Sequence, residues 1–163
     1  MRDAETTARL ADYQRQIADL REKMRQARAA SPPEPIRDYV FAGEDGPVLL
    51  SALFGERRDL FLVHNMGTSC GHCTMWADGF NGIYPHIVSR AAFVVTSPDP
   101  PATQTAITAA RGWRFPMVSH AGTDFAAEMG YRAANGGWLP GLSVLRRDGS
   151  AIYRVAEIGR AHV

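Results

Sequence analysis

Only two cysteines occur in the 163 residues, Cys70 and Cys73. That is too few for the disulfide scaffold that holds small secreted domains together. There is no second Cys-x-x-Cys and no paired-histidine spacing of the zinc-finger kind. Lysine is nearly absent: Lys23 is the only one, and arginine supplies the remaining positive charge. The net charge is +1, which offers no electrostatic ground for a nucleic-acid or anionic-membrane partner. No apolar run approaches the roughly 18 residues of a membrane span. The charged N-terminus lacks the apolar core and cleavage site of a signal peptide. No internal repeat or low-complexity tract is present. The expectation is a cytoplasmic protein whose thiols are reactive, metal-binding or incidental.

Apolar residues make up 45% and charged residues 21% of the chain, as in ordinary globular proteins. The length suits one domain with a sizeable core. Residues 3 to 29 read as an amphipathic helix, because Leu10, Tyr13, Ile17, Leu20, Met24 and Ala27 recur at alternating spacings of three and four. Glu5–Arg9 and Asp19–Lys23 add favourable i,i+4 pairs. Such a stripe either lies across its own domain or pairs with a second copy as a coiled coil, giving a homodimer. Ser31-Pro32-Pro33-Glu34-Pro35 stops the helix and forms a short extended connector. The expected organisation is a helical extension, residues 1–30, followed by a single domain, residues 31–163.

Within that domain Tyr39-Val40-Phe41 and Val48-Leu49-Leu50 read as strands about a turn at Gly43 to Gly46, with a helical turn at Leu53-Phe54-Gly55. Leu60 to Asn65 is a buried strand, uncharged over Leu60 to Val63. Thr74 to Arg90 keeps helical spacing, weakened by Gly79, Gly82 and Pro85. A second buried strand, Ala91 to Thr96, leads to a helix over Ala102 to Arg111 ended by Gly112. An extended piece, Trp113 to Ser119, and a short helix over Asp124 to Tyr131 capped by Thr123 follow. Gly141 to Leu145 and Ala151 to Val155 flank Asp148-Gly149, a hairpin signal. The tail, Gly159 to Val163, is expected to be loose. Strand, helix, strand, helix and a terminal hairpin imply an α/β domain with a mixed sheet flanked by helices.

The chemistry concentrates in Ser69-Cys70-Gly71-His72-Cys73, between the buried strand and the helix that follows it. A thiol attacks only as its thiolate, and a free cysteine, with a pKa of about 8.5, is mostly protonated at neutral pH. A cysteine at a helix N-terminus gains from unpaired amides and the positive end of the dipole. Cys70 holds that position if the helix begins near Gly71. Cys73, one turn on, would resolve a mixed disulfide by attacking Cys70. His72 between them would add positive charge or polarity. Three readings stand open at this point: a redox dithiol, a metal site completed by His64, His72, His86 or His120, and a pair without catalytic role.

The stretch Ser69 to Cys73 resembles the active-site motif of the thioredoxin superfamily, and Cys-Gly-His-Cys is similar to that of protein disulfide isomerases. Leu139 to Gly149 looks like the late segment of thioredoxin-like folds, and by that resemblance Pro140 would be a cis-proline packed against the dithiol and shaping a substrate groove. Asp38-Tyr39-Val40-Phe41, Leu53-Phe54-Gly55, Trp76-Ala77-Asp78-Gly79-Phe80, Gly112-Trp113-Arg114-Phe115-Pro116 and Arg147-Asp148-Gly149 resemble a bacterial thioredoxin-like family catalogued as a domain of unknown function, whose members also begin with a long helix. The resemblance implies a thioredoxin-like fold and thiol–disulfide exchange without a cofactor, on a disulfide-bearing protein or a small thiol. Peroxiredoxins share the early layout, but their Thr-x-x-Cys signature would need threonine at position 67, which is Gly67; Thr68 is one place off.

The thioredoxin pattern is also broken at three positions. Ser69 stands in place of tryptophan before the first cysteine, Asp78 in place of proline after the second, and His64 in place of the buried acid. A histidine ending the strand beneath the thiols would be suited to take the proton from Cys73; the simpler role is a core histidine held by one hydrogen bond. Trp76 and Phe80 are expected to pack in the core rather than form part of a substrate groove, and Trp113, Phe115 and Trp138 to lie in the core or in a surface patch, with an apolar cleft near the thiols as the alternative for these three. Asp78 is expected to be solvated or structural, with facing the site as its alternative, and Arg114 either attracts an acidic substrate or solvates a loop. The candidate site is therefore Cys70 as nucleophile, Cys73 as resolving thiol, His72 as tuner, His64 as base and Pro140 as groove former. The alternatives are a non-enzymatic thioredoxin-like binding module dimerising through its first helix and, by the resemblance to peroxiredoxins, a peroxidase.

Overall fold

The computed structural model describes residues 3–158, and the tail from Gly159 lies outside the described residues. The chain divides into two compact units after Pro33. The first is a helix, α1 (Ala4–Ala30), opened by Asp3, whose carboxylate accepts the Thr6 amide at 2.6 Å. The spaced apolar side chains of α1 are exposed, from Leu10 at 39% to Leu20 at 58%. The positions flanking that stripe are basic or neutral, Arg9, Gln14, Gln16, Arg21 and Lys23, with Lys23 tied to Asp19 on its own helix at 2.7 Å.

The second unit is a mixed sheet of eight strands with helices on its faces. In chain order come β1 (Glu34–Ile36), β2 (Val40–Gly43), β3 (Gly46–Leu49), a 3₁₀ turn at Leu50–Phe54, β4 (Asp59–His64), α2 (Gly71–Val88), β5 (Ala92–Ser97), α3 (Pro101–Arg111), β6 (Met117–Ser119), α4 (Phe125–Glu128), β7 (Gly141–Asp148) and β8 (Ala151–Ile158). The spatial order is β1-β8-β7-β4-β5-β6-β2-β3. The parallel strands β4 and β5 pair Leu60 with Ala92 through to His64 with Thr96. β7 lies antiparallel on the other side of β4, with Gly141 opposite His64. The connector expected to be simply extended forms β1, an edge strand that places Pro35 opposite Tyr153. An edge position tolerates proline because one side of the strand has no ladder to complete.

Strand alternation divides the core in two. Leu60, Leu62 and Val94 face a cluster with Phe41, Phe54, Phe125, Tyr131 and Leu145. Val63, Phe93 and Val95 face the other way, onto Ala77 of α2 and the rings of Trp113 and Phe115, with Phe80 and Tyr84 packed against them. Trp113 and Phe115 are therefore core residues, and the cleft alternative falls away for both. Trp76 corrects the expectation of core packing in the opposite direction, with 63% of its surface exposed.

α2 continues through Pro85. Proline at that position cannot donate to the Asn81 carbonyl, and Arg114 Nη2 donates to it instead at 3.1 Å. The Asn81 side chain accepts the Arg114 amide at 2.9 Å and donates to the Gly112 carbonyl at 3.0 Å. Arg114 thus repairs the helix rather than meeting an acidic ligand. Asp78 joins α2 to the end of α3. It accepts from Arg111 at 2.9 and 2.5 Å and from Trp113 Nε1 at 2.8 Å. The Arg111 guanidinium first, and then the indole N–H, hold its carboxyl down at about 2.

Candidate active site

β4 ends at His64 and the chain turns through residues 65–69 before α2 begins. That turn is built by side chains. Asn65 Oδ1 accepts the Gly67 amide at 2.8 Å. Asp99, in the loop after β5, accepts the Thr68 amide at 2.9 Å and the Ser97 hydroxyl at 3.1 Å. Gly67 adopts φ +99° with the Asp99 carboxylate 3.0 Å from where a Cβ would stand. A side chain there would be strained by its φ and would crowd the carboxylate. Threonine at position 67, as in peroxiredoxins, does not fit this turn.

Cys70 is the N-cap of α2, with extended backbone (φ −96°, ψ 100°), and its Sγ accepts the Cys73 amide at 3.2 Å. Its carbonyl accepts the Thr74 amide at 3.1 Å. The helix begins at Gly71, three residues before the run read from Thr74, so the condition for Cys70 to hold its N-terminus is met, and the Cys73 amide of its first turn points at the Cys70 sulfur. Cys70 is partly exposed, whereas Cys73 is buried at 6% exposure, and both are free thiols. Burial pushes the Cys73 thiol up to about 11, with the Cys70 side chain adding to the rise and the Met66 amide opposing it. Iodoacetamide at pH 8 is expected to label Cys70 first, with Cys73 following only as the pH approaches 11; peptide mass mapping would read the order, and equal labelling of both would contradict this asymmetry.

A cavity of about 320 Å³ lies beside Cys73. One wall is a single face of α2, Cys73, Trp76, Ala77 and Phe80; the other is the ends of the central strands, with Val63, Val95 and Leu142, closed by Pro140. Pro140 thus shares a cavity with Cys73, as a groove former would. The expected cis bond is corrected: among the described residues no peptide bond is cis, and Leu139–Pro140 is trans. The chain approaches β7 already extended, held by the Leu139 amide on the Tyr131 carbonyl at 2.9 Å and by a bridge between Arg132 and Trp138. The trans form is also the lower-energy isomer of an ordinary X-Pro bond.

His72 is exposed on the first turn of α2. His64 borders the cavity where β4 ends, but its ring follows Leu60 and Leu62 onto the opposite face of the sheet from Val63 and α2. There it stacks on Tyr131 with centroids 3.5 Å apart and lies 5.5 Å from Phe125. Its Nε2 is 2.9 Å from Ser143 Oγ, and Nδ1 has no hydrogen-bond partner among the described residues. The structure brings Cys73 and Pro140 to one cavity, with Cys70 at the N-cap one turn before Cys73, and turns the His64 imidazole away, so the expected proton transfer from Cys73 to His64 is not supported by the geometry. The simpler expectation, a core histidine on one hydrogen bond, describes it.

Sequence reasoning missed what surrounds that histidine. Thr96, beside His64 in register, and His120, whose ring meets Trp138 at 4.8 Å, are also buried, and Thr96 Oγ1 and His120 Nδ1 lack partners among the described residues. Trp138 packs on His120 and under the Arg132 guanidinium rather than beside the thiols. Burial lowers His64 well below its ordinary value, helped by His120 and Arg154, and burial likewise lowers His120. The folded protein keeps both rings neutral at a pH where the unfolded chain protonates them. Stability contributed by this burial is complete above about pH 6.5 and declines below it, as the unfolded state takes up protons the folded state refuses. The urea midpoint is expected to fall from pH 7.5 to pH 5, and less steeply in His64→Gln; an identical slope in the variant would contradict the assignment. Among the described residues no three His, Cys, Asp or Glu side chains gather as a metal set. No helix among them is long and apolar enough to cross a membrane.

Comparison with known proteins places this geometry in context. The family described as bacterial protein of unknown function (DUF899) matches residues 4–158. No curated protein matches significantly. Among solved structures, peroxidoxin BcpB from Mycobacterium tuberculosis superposes with a TM-score of 0.63 at 22% identity, over 76% of this chain and 84% of that one. A cysteine mutant of PrxQ from Xylella fastidiosa gives 0.63 at 13% identity, over 79% and 88%. A peroxiredoxin-like protein from Aquifex aeolicus gives 0.60 at 12% identity, over 78% and 75%. At these identities the likeness is one of fold, and the fold is thioredoxin-like.

Proposed function

The chain belongs to the bacterial DUF899 family and carries a thioredoxin-like fold, and from the dithiol in that fold we propose that it is a thiol–disulfide oxidoreductase. The observation that carries this reading is the asymmetry of the pair. Cys70 is partly exposed at the helix N-cap, and Cys73 is buried one turn on, with a proton it holds to about pH 11.

In the forward direction the Cys70 thiolate attacks one sulfur of a substrate disulfide. The substrate S–S bond breaks, a Cys70–substrate disulfide forms, and the first substrate thiol leaves with a proton. Cys73 then loses its proton and attacks Cys70 Sγ, and the second substrate thiol departs. The substrate gains two electrons and the protein ends as the Cys70–Cys73 disulfide, which a dithiol reductant returns to the starting state. The first step prepares the second. Part of what raises Cys73 is the hydrogen bond and charge of Cys70, and both disappear when Cys70 enters the mixed disulfide, while the opposing Met66 amide remains. Burial, the larger cause of the rise, stays in place, so the first step removes only the part that Cys70 supplies.

Equilibration in buffers of reduced and oxidised dithiothreitol tests the reading. One two-electron transition to an intramolecular disulfide is expected, seen as the loss of both alkylatable thiols together. Thiols that stay alkylatable in the most oxidising buffer would rule the function out.

A further inference from the structure

The cavity beside Cys73 goes beyond what exchange itself requires. Cys70 lies three residues before Cys73, and Cys73, Trp76, Ala77 and Phe80 follow at helical spacing along one face of α2. The reactive sulfur therefore stands at the head of the row of side chains that forms the cavity wall. Cys70 does not itself line the cavity, but its sulfur accepts the Cys73 amide, so a substituent carried next to a sulfur bonded to Cys70 starts one helical turn from that row. The space it meets is apolar, between Phe80 and Leu142, with Pro140 at its edge. Its volume of about 320 Å³ is ample for a phenyl or isobutyl group, since an apolar cavity of about 150 Å³ already accepts benzene.

Trp76 strengthens the argument. It is 63% exposed although it follows the dithiol on the helix, and its ring lies 6.0 Å from Phe80, which is itself packed on Phe93 at 5.5 Å. A large aromatic left in solvent at the mouth of an apolar cavity is a surface for an incoming apolar group. No charged side chain lines the space, so an acidic or basic substituent would lose its hydration there without compensation.

We infer that the preferred substrate is a disulfide whose bonded cysteine is flanked by an aromatic or branched aliphatic side chain, which the cavity between Trp76, Phe80, Leu142 and Pro140 receives. The inference rests on the exchange reading and adds the substrate class to it.

The test uses two short peptide disulfides identical except for phenylalanine or glutamate beside the cysteine. The kcat/KM for the phenylalanine peptide is expected to exceed that for the glutamate peptide by on the order of tenfold or more, as burial of an aromatic side chain provides. Trp76→Ala, at an exposed position, should reduce that ratio severalfold. Equal kcat/KM for the two peptides, or a ratio untouched by Trp76→Ala, would overturn the inference while leaving exchange intact. A binding arm separates the two claims. The same peptides with the cysteine S-methylated cannot exchange, and titration by tryptophan fluorescence should show tighter binding of the phenylalanine form. Preferential binding with no turnover of either disulfide would retain the cavity's preference and remove the exchange reading; equal affinities would overturn the preference.

Discussion

Replacing Cys70 with serine is expected to bring disulfide reduction to the uncatalysed background, the largest functional effect of any single substitution in this chain. Serine has no thiolate to offer, and the remaining thiol, Cys73, is buried and holds its proton to about pH 11. Near neutral pH almost none of it is in the attacking form. Cys73→Ser should behave differently. It keeps the nucleophile, so the first step survives and turnover stops at the mixed disulfide. A coupled assay of insulin or small-disulfide reduction with a dithiol reductant distinguishes the variants, since Cys70→Ser shows neither burst nor turnover while Cys73→Ser shows a single-turnover burst. Activity retained in Cys70→Ser would transfer the nucleophile's role elsewhere.

The largest effect on stability is expected at Gly141. A Cβ there would stand 2.4 Å from Tyr131 Cε1 and 3.1 Å from its hydroxyl oxygen. Tyr131 is 1% exposed and stacked on His64 at 3.5 Å, so the ring has no space into which to retreat. Overpacking of a tight core costs about 1–3 kcal/mol, and this contact belongs at the top of that range. Gly141→Ala should lower the urea midpoint by about 3 kcal/mol of stability at an unchanged slope. Adding Tyr131→Leu, which removes the obstructing ring, should cost less than the two single changes together, because the two sites share one contact. Strict additivity would place the strain of Gly141→Ala somewhere other than Tyr131.

Much of this arrangement was legible in the chain. The apolar run Leu60 to Val63 and the hairpin about Gly149 stand where the residues place them, because both rest on local chemistry, burial without charge and a turn, and α2 starts three residues before the run read from Thr74. The Cys70 cap is likewise a local feature. What local chemistry cannot carry is which face a side chain takes. A continuous apolar strand has no alternation to read, so His64 was equally well placed beneath the thiols or away from them, and only the pairing with β5 and β7 decides it. Long-range partners are hidden for the same reason. Asp99 sits 31 residues from the Thr68 amide it holds, and Trp113 lies 35 from Asp78. Trp76 illustrates a further limit, since helical spacing marks it as apolar-face without saying that the neighbouring space is empty. The trans bond at Pro140 departs from a fold-level analogy, and the residue still borders the cavity that the analogy assigned it.

The division of labour between the two thiols is tested most directly by counting thiols released from a small disulfide under anaerobic conditions. Reduced wild-type protein should release two thiols per chain and carry no adduct, Cys73→Ser should release one and retain one substrate half on the peptide containing Cys70, and Cys70→Ser should release none on the same timescale. An adduct found on Cys73 in Cys70→Ser, formed as fast as the one on Cys70, would contradict the account.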